Sequence, residues 1–295
     1  MKLSTSTNLF GKQREGISHT PYIESVRRCR KAGFTTMDFS FCEFFFTHTE
    51  LHEDDWLYRI EEIKNEAEKL GITFTQSHLP YNPGYMPEWK SQEQIEDYYK
   101  FACRGVLASS ILGVKWAVVH PFTQCSQTEY DDEASIQYNQ EFYAPIVELA
   151  MKKNVGIAFE NMIEYPQRRK FSARAEELAE LVDSYRDSRI GACWDFGHGN
   201  RMYHDLSRPI RVLDKRLVAL HVNDNTAISD LHLPPFLGTV NWEMVMCALK
   251  ETGYAGDFTY EIYGFTKLMP ELLKDAAAKM AYEIGMYCLR LFNEA

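Results

Sequence analysis

The sequence predicts an α/β fold of the (β/α)8 TIM-barrel class, on three observations. The hydrophobic period switches repeatedly between short β-branched or aromatic runs and longer amphipathic stretches. Eight such pairs fill the 295 residues, about 37 per unit, which is the size and order of a barrel built from eight strand–helix units. Glycine or asparagine recurs where each amphipathic stretch hands over to the next strand, as helix C-caps require.

Taken in order, the first strand is read at Leu3–Asn8, and its helix ends at Ala32-Gly33. The second, Phe34–Phe39, precedes a helix closed by Leu70-Gly71, and the third, Ile72–His78, a helix closed by Leu112-Gly113. Lys115–His120 is the fourth; after it, Ile136, Phe142, Ile146, Val147 and Ala150 keep helical spacing up to Asn154. Val155–Glu160 is the fifth, followed by a helical face of Leu178, Leu181, Val182 and Tyr185. Ile190–Asp195 and Leu217–Val222 are the sixth and seventh, and Thr252-Gly253 leads into the eighth, Asp257–Ile262. A doubly wound sheet is the competing architecture, but its nucleotide-binding forms lack their signatures here: neither Gly-x-Gly-x-x-Gly nor a P-loop motif occurs. No Pro-, Ser- or Gly-rich linker divides the chain, so residues 1–295 read as one domain.

Composition narrows the function. With 32 Lys and Arg against 42 Asp and Glu the net charge is −10, which opposes a broad footprint on nucleic acid. No run approaches the roughly 20 apolar residues of a membrane span, and the first residues lack a signal-peptide core. The 7 cysteines are scattered without a Cys-x-x-Cys pair, which fits a reducing cytoplasm.

A barrel carries its active site at the C-terminal ends of its strands. From the third strand on, those ends read His78, His120, Glu160, Asp195, His221 and Glu261. Any one such residue is ordinarily a loop cap. Together, carboxylates and imidazoles would repel or strand one another unless a cation neutralised them, and they suit divalent Mn, Co, Zn or Fe. Glu160, Asp195, His221 and Glu261 are therefore read as the primary metal shell. His198, in Asp-Phe-Gly-His-Gly-Asn, is expected to return toward the metal through a sharp turn at Gly197 and Gly199, or else to cap the next helix. Asp230-Leu-His232 can place both side chains on one side, or can be a solvated loop. Two aromatic loops, 39–46 and 81–89, are read as a lid, with part of either cluster packing on helix ends.

These motifs resemble one family across nearly the whole chain: the xylose isomerase-like barrels, which hold sugar isomerases and epimerases together with endonuclease IV-like enzymes. The carriers are His78-Leu-Pro-Tyr, Val119-His120-Pro, Phe159-Glu160-Asn161, Trp194-Asp195-Phe-Gly-His198, Leu220-His221-Val-Asn-Asp, Asp230-Leu-His232 onward to Trp242, and Tyr260-Glu261. In the isomerase branch the resemblance implies one divalent ion, Mn before Co, Mg or Zn, on Glu160, Asp195, His221 and Glu261. Glu160 and Glu261 would also be the catalytic acid/base pair of an enediolate mechanism, with His198 holding a substrate hydroxyl. The implied partner is a small carbohydrate or polyol, with neither nucleic acid nor membrane, and a homo-oligomer is a base-rate expectation. The ketose 3-epimerase pattern has a glutamate and an arginine where this chain has Pro166 and Ala227, which counts against that subgroup.

Lyases, dehydratases and C-glycoside-cleaving subunits share the same metal shell. The endonuclease IV-like branch implies three ions instead: His78 and His120 on one, Glu160 and Glu261 bridging, Asp195 and His221 on a second, and His198, Asp230 and His232 on a third. Net charge and the aromatic loops favour a small polyol over a DNA backbone. A non-catalytic carbohydrate sensor is the remaining class, and intact Glu160 and Glu261 argue against it.

Overall fold

In the computed structural model the described residues are all except 14–16, 19, 46, 82–90, 125–129, 166–168 and 268. Eight parallel strands form the barrel: β1 Leu3–Ser6, β2 Thr36–Ser40, β3 Thr73–His78, β4 Trp116–Val119, β5 Gly156–Glu160, β6 Ile190–Asp195, β7 Leu217–His221 and β8 Phe258–Tyr260. Each strand from β1 to β6 pairs with its successor, and β8 pairs with β1. The ring closes between β7 and β8 through a parallel bridge of Val222 with Tyr260, where the Val222 amide donates to the Thr259 carbonyl at 2.7 Å.

The helices lie between successive strands. They are α1 Tyr22–Ala32, α2 Trp56–Leu70, α3 Gln92–Leu112, α4 Asp132–Lys152, α5 Ala175–Ser184, α6 Phe196–Met202, α7 Ser207–Leu213, α8 Trp242–Glu251, α9 Tyr263–Lys267 and α10 Glu271–Glu294. Their buried faces pack on the outside of the sheet, as with Leu178, Leu181 and Val182 of α5 and Ile146 and Ala150 of α4. The handover marks stand where the sequence places them: Gly33, Gly71, Gly113 and Gly253, and also Asn154, all have positive φ. Inside the barrel, Val118, Ala158, Cys193 and Ala219 make a separate small-residue cluster below the mouth.

Two expectations are corrected. The strands are shorter at several ends than the apolar runs suggest, so His120 and Glu261 lie one residue beyond β4 and β8. The aromatic run after β2 is core and not lid, because Phe39, Phe41 and Phe44 are buried and pack ring against ring. Their hydrophobic area is worth more against the helices than at a wet mouth. Of the second aromatic loop only Tyr81 falls among the described residues, as does no part of 82–89; Phe46 and Cys125 also lie outside them. No helix among the described residues is long and apolar enough to cross a membrane.

Candidate metal centre and active site

Because all eight strands run parallel, their C-terminal residues converge on one mouth. His78, Glu160, Asp195 and His221 each end a strand, and all four are buried. The side chain of Asn161 extends the β5–β6 ladder by one rung. Its Oδ1 accepts from the Asp195 amide at 2.5 Å and its Nδ2 donates to the Asp195 carbonyl at 3.0 Å. This amide does the work of a peptide group and fixes the backbone that carries Asp195.

Helix α6 starts directly after Asp195, whose Oδ1 caps it by accepting the His198 amide at 2.7 Å. His198 therefore reaches the site from a first helical turn, and the sharp turn at Gly197 and Gly199 does not exist. Gly197 serves close approach instead, since a Cβ there would land on Asn223 Oδ1. Asn223 Nδ2 in turn donates to Asp195 Oδ2 at 2.7 Å, so the packed glycine holds the carboxylate in place through Asn223.

Three imidazoles are oriented by main-chain carbonyls. Nδ1 of His78 donates to Leu79 at 2.7 Å, Nδ1 of His198 to Asn161 at 2.8 Å, and Nδ1 of His232 to Glu261 at 2.9 Å. Each bond leaves Nε2 directed at the cavity, the second-shell arrangement that turns a histidine into a ligand. His78 Nε2 faces His120 Nε2 at 3.0 Å, and these nitrogens stand 3.4 and 3.2 Å from Glu160 Oε2. His221 Nδ1 is 3.0 Å from Glu160 Oε1 and 3.7 Å from Glu261 Oε2. His232 Nε2 is 3.1 Å and His198 Nε2 3.6 Å from Asp230 Oδ2. Asp230 and His232 thus do share one side, and the left-handed φ of His232 (48°) is the strained backbone that puts them there.

Ligand-type atoms lie within 4.8 Å of one another in three overlapping groups, Glu160–Asp195–His221–Glu261, His78–His120–Glu160 and His78–His221–Glu261, and in a separate one, His198–Asp230–His232. Two buried atoms of the first group, His221 Nδ1 and Glu160 Oε2, have no hydrogen-bond partner despite their close neighbours. Close distances without hydrogen-bond angles mean lone pairs aimed at a common point, and an orphaned buried acceptor is costly unless a cation or proton fills it. The donor set fits a divalent ion.

The charges answer to one another. Burial raises the Glu160 carboxyl, but the imidazoles of His221 and His120 outweigh it and hold the group well below the usual range. Burial, with His78 beside it, pushes His120 down to about 4 against the pull of Glu160. Burial also opposes charge on His221, His198 and His232, yet their neighbours lift all three: Cys193 with Glu160 and Glu261 for His221, and facing carboxylates for His198 and for His232, the last to about 9. Asp195, desolvated most of all, is pushed up to about 6.

Of these groups His120, Glu160, His198, Asp230, His232 and Glu261 line a cavity of about 490 Å3. A second, of about 530 Å3, opens at the opposite end of the barrel around Lys2, Lys115 and Asp257, away from every ligand group. The mouth cavity adds residues the sequence reading passed over: Asn8, Glu43, Lys170, Tyr263 and Lys267. They stand on the loops and short helices that follow β1, β2, β5 and β8, where no periodicity marks them.

Comparison with known proteins follows the geometry. The xylose isomerase-like TIM barrel family matches residues 26–284. The uncharacterized protein y4fM of Sinorhizobium fredii is 31% identical over 120 residues, 38% of this chain and 34% of that relative, so the chain matches about a third of its length. A D-tagatose 3-epimerase-like protein has the same fold at TM-score 0.75 and 21% identity, over 100% of this chain and 99% of that one. The IOLI protein, solved with a zinc atom, aligns at TM-score 0.75 and 16% identity over 99% of each chain.

Proposed function

The chain belongs to the xylose isomerase-like TIM barrel family, and from that premise we propose that it is a divalent-metal-dependent isomerase or epimerase moving a proton next to the carbonyl of a keto-sugar, inositol or related polyol. The observation that carries this reading is the Glu160–Asp195–His221–Glu261 group with its orphaned His221 Nδ1 and Glu160 Oε2. The epimerase-like and zinc-bearing relatives support it. One ion is proposed, Mn before Co, Mg or Zn.

A divalent ion on these four residues would polarise the carbonyl and neighbouring hydroxyl of the substrate. Glu160 and Glu261 stand on β5 and at the end of β8, three strands apart in an eight-strand ring, and so flank the cavity from different sides. One removes the carbon-bound proton and the other returns it. Glu160, held ionised, is ready to accept. His198, with Nδ1 tied to Asn161, presents Nε2 to a substrate hydroxyl. The test is proton exchange from D2O into keto-hexoses, followed by NMR. Glu160→Gln and Glu261→Gln should each abolish exchange in a folded barrel, and retained exchange in either refutes the assignment. Product analysis of the same reaction separates isomerase from lyase or dehydratase chemistry.

A second reading, three-ion phosphodiester hydrolysis, has one observation in its favour: the histidine groups His78–His120–Glu160 and His198–Asp230–His232 flank the first on both sides. Zinc-dependent incision of abasic DNA would select it. The net charge of −10 disfavours that substrate.

A further inference from the structure

Resting on the reading that the site acts on a polyhydroxylated carbonyl compound, we propose that Asn8, Tyr263 and Lys267 form a distinct subsite for the neutral polyol tail of the substrate. All three line the mouth cavity and follow the ends of β8 and β1, with Glu261 and His232 the metal-type groups beside them.

The wall is built as a unit. Tyr263 and Lys267 are four residues apart on α9 and so share a face, and the Lys267 ammonium lies 5.5 Å from the Tyr263 ring. The Thr266 hydroxyl donates to the Leu9 carbonyl, which ties α9 to the residue after Asn8. Lys274 of α10 holds the same loop, its Nζ donating to the Gly11 carbonyl at 2.7 Å and the Phe10 carbonyl at 3.2 Å. On the other flank, a Cβ at Gly264 would overlap the Leu231 carbonyl oxygen, so only glycine lets α9 nest on the loop after β7. That contact brings the Tyr263 ring onto the His232 imidazole, with centroids 4.2 Å apart.

The wall is also unsatisfied. Among the described residues the Tyr263 hydroxyl and the Lys267 ammonium make no hydrogen bond or ion pair with the protein, and the Asn8 Oδ1 is buried without a partner. The stranded Asn8 amide oxygen, with a tyrosine hydroxyl and an ammonium open to the same cavity, marks a place for a ligand. A phenol is protonated at neutral pH and so can donate. An amide, a phenol and an ammonium supply donors, while Glu43 on the same cavity supplies an acceptor. Sugar hydroxyls both donate and accept, which matches this mixture. A fully anionic tail would meet Glu43, Asp230 and Glu261.

The experiment compares proton exchange into D-tagatose with exchange into dihydroxyacetone, which keeps the carbonyl and adjacent hydroxyl but has no tail. In Tyr263→Phe and in Lys267→Met, the ratio of kcat/KM for D-tagatose to that for dihydroxyacetone should fall about fivefold to tenfold, as expected for one lost hydrogen bond. An unchanged ratio in both overturns the proposal. In parallel, saturation-transfer NMR measures D-sorbitol, which has no carbonyl, on the metal-stripped protein. The signal should be present in the unaltered protein and lost in the Asn8→Ala, Tyr263→Phe double variant. Its absence at the start, or persistence in the double variant, also overturns the subsite. Sorbitol binding that follows the variants, without exchange in any ketose, would refute the proposed reaction and leave the subsite standing.

Discussion

Replacing Asn161 with alanine tests how the barrel aims its central carboxylate. The side chain is fully buried and makes two hydrogen bonds to the Asp195 backbone, at 2.5 and 3.0 Å, beyond the last rung of the β5–β6 ladder. Alanine removes both partners and leaves an amide and a carbonyl stranded where water has no path. Each orphan costs roughly 1–3 kcal/mol, so the variant should lose about 2–6 kcal/mol of stability. The His198 contact survives, because it uses the Asn161 main-chain carbonyl, so what changes is the support of Asp195. Loss of a supporting contact to a ligand typically weakens metal affinity about 10–100-fold. Urea denaturation gives the first quantity and titration of Mn into the metal-free protein the second. A loss under about 0.5 kcal/mol with unchanged affinity would refute the ladder-extension argument.

Gly197→Ala should drive Asn223 off Asp195, costing about 1–3 kcal/mol by overpacking and weakening metal binding; a crystal structure with the Asn223–Asp195 bond intact would contradict this. Metal binding should release protons and tighten with pH. His221, the imidazole of the four-residue group, lies well above the usual imidazole range, so it is charged at neutral pH in the metal-free protein and must deprotonate to bind. His232, raised to about 9, stabilises the metal-free fold fully below about pH 6.5, and that contribution fades as pH climbs toward 9. Calorimetry in two buffers of different ionisation enthalpy checks the release; identical apparent enthalpies would contradict it. Gly264→Ala should separate Tyr263 from His232 and lower exchange with ketoses while the first-group metal affinity stays within about twofold, read by the same titration.

Much of this was legible in the chain because the barrel converts local period into position. Alternation locates the strands, and parallel order then delivers His78, Glu160, Asp195 and His221 to one mouth without any knowledge of loops. What failed to read depends on tertiary contact. Gly-His-Gly looks like a turn, but Gly197 is small to admit Asn223, a residue 26 positions away. The aromatic run after β2 looks like a lid because nothing local says that Phe39 and Phe41 face the helices. Asn161 stood inside a recognised motif, yet its part in the ladder follows only from the register of β5 on β6. Asn8, Tyr263 and Lys267 carried no signal: a loop and a five-residue helix offer no period, and their juxtaposition depends on Thr266, Lys274 and Gly264.

Metal content per chain, by elemental analysis of untagged protein purified without chelator, tests the central claim most directly. The account predicts about one Mn, Co, Mg or Zn per chain, lost in Asp195→Asn, together with proton exchange in a keto-sugar. Three Zn per chain with incision of abasic DNA, or no bound divalent ion at all, would contradict it.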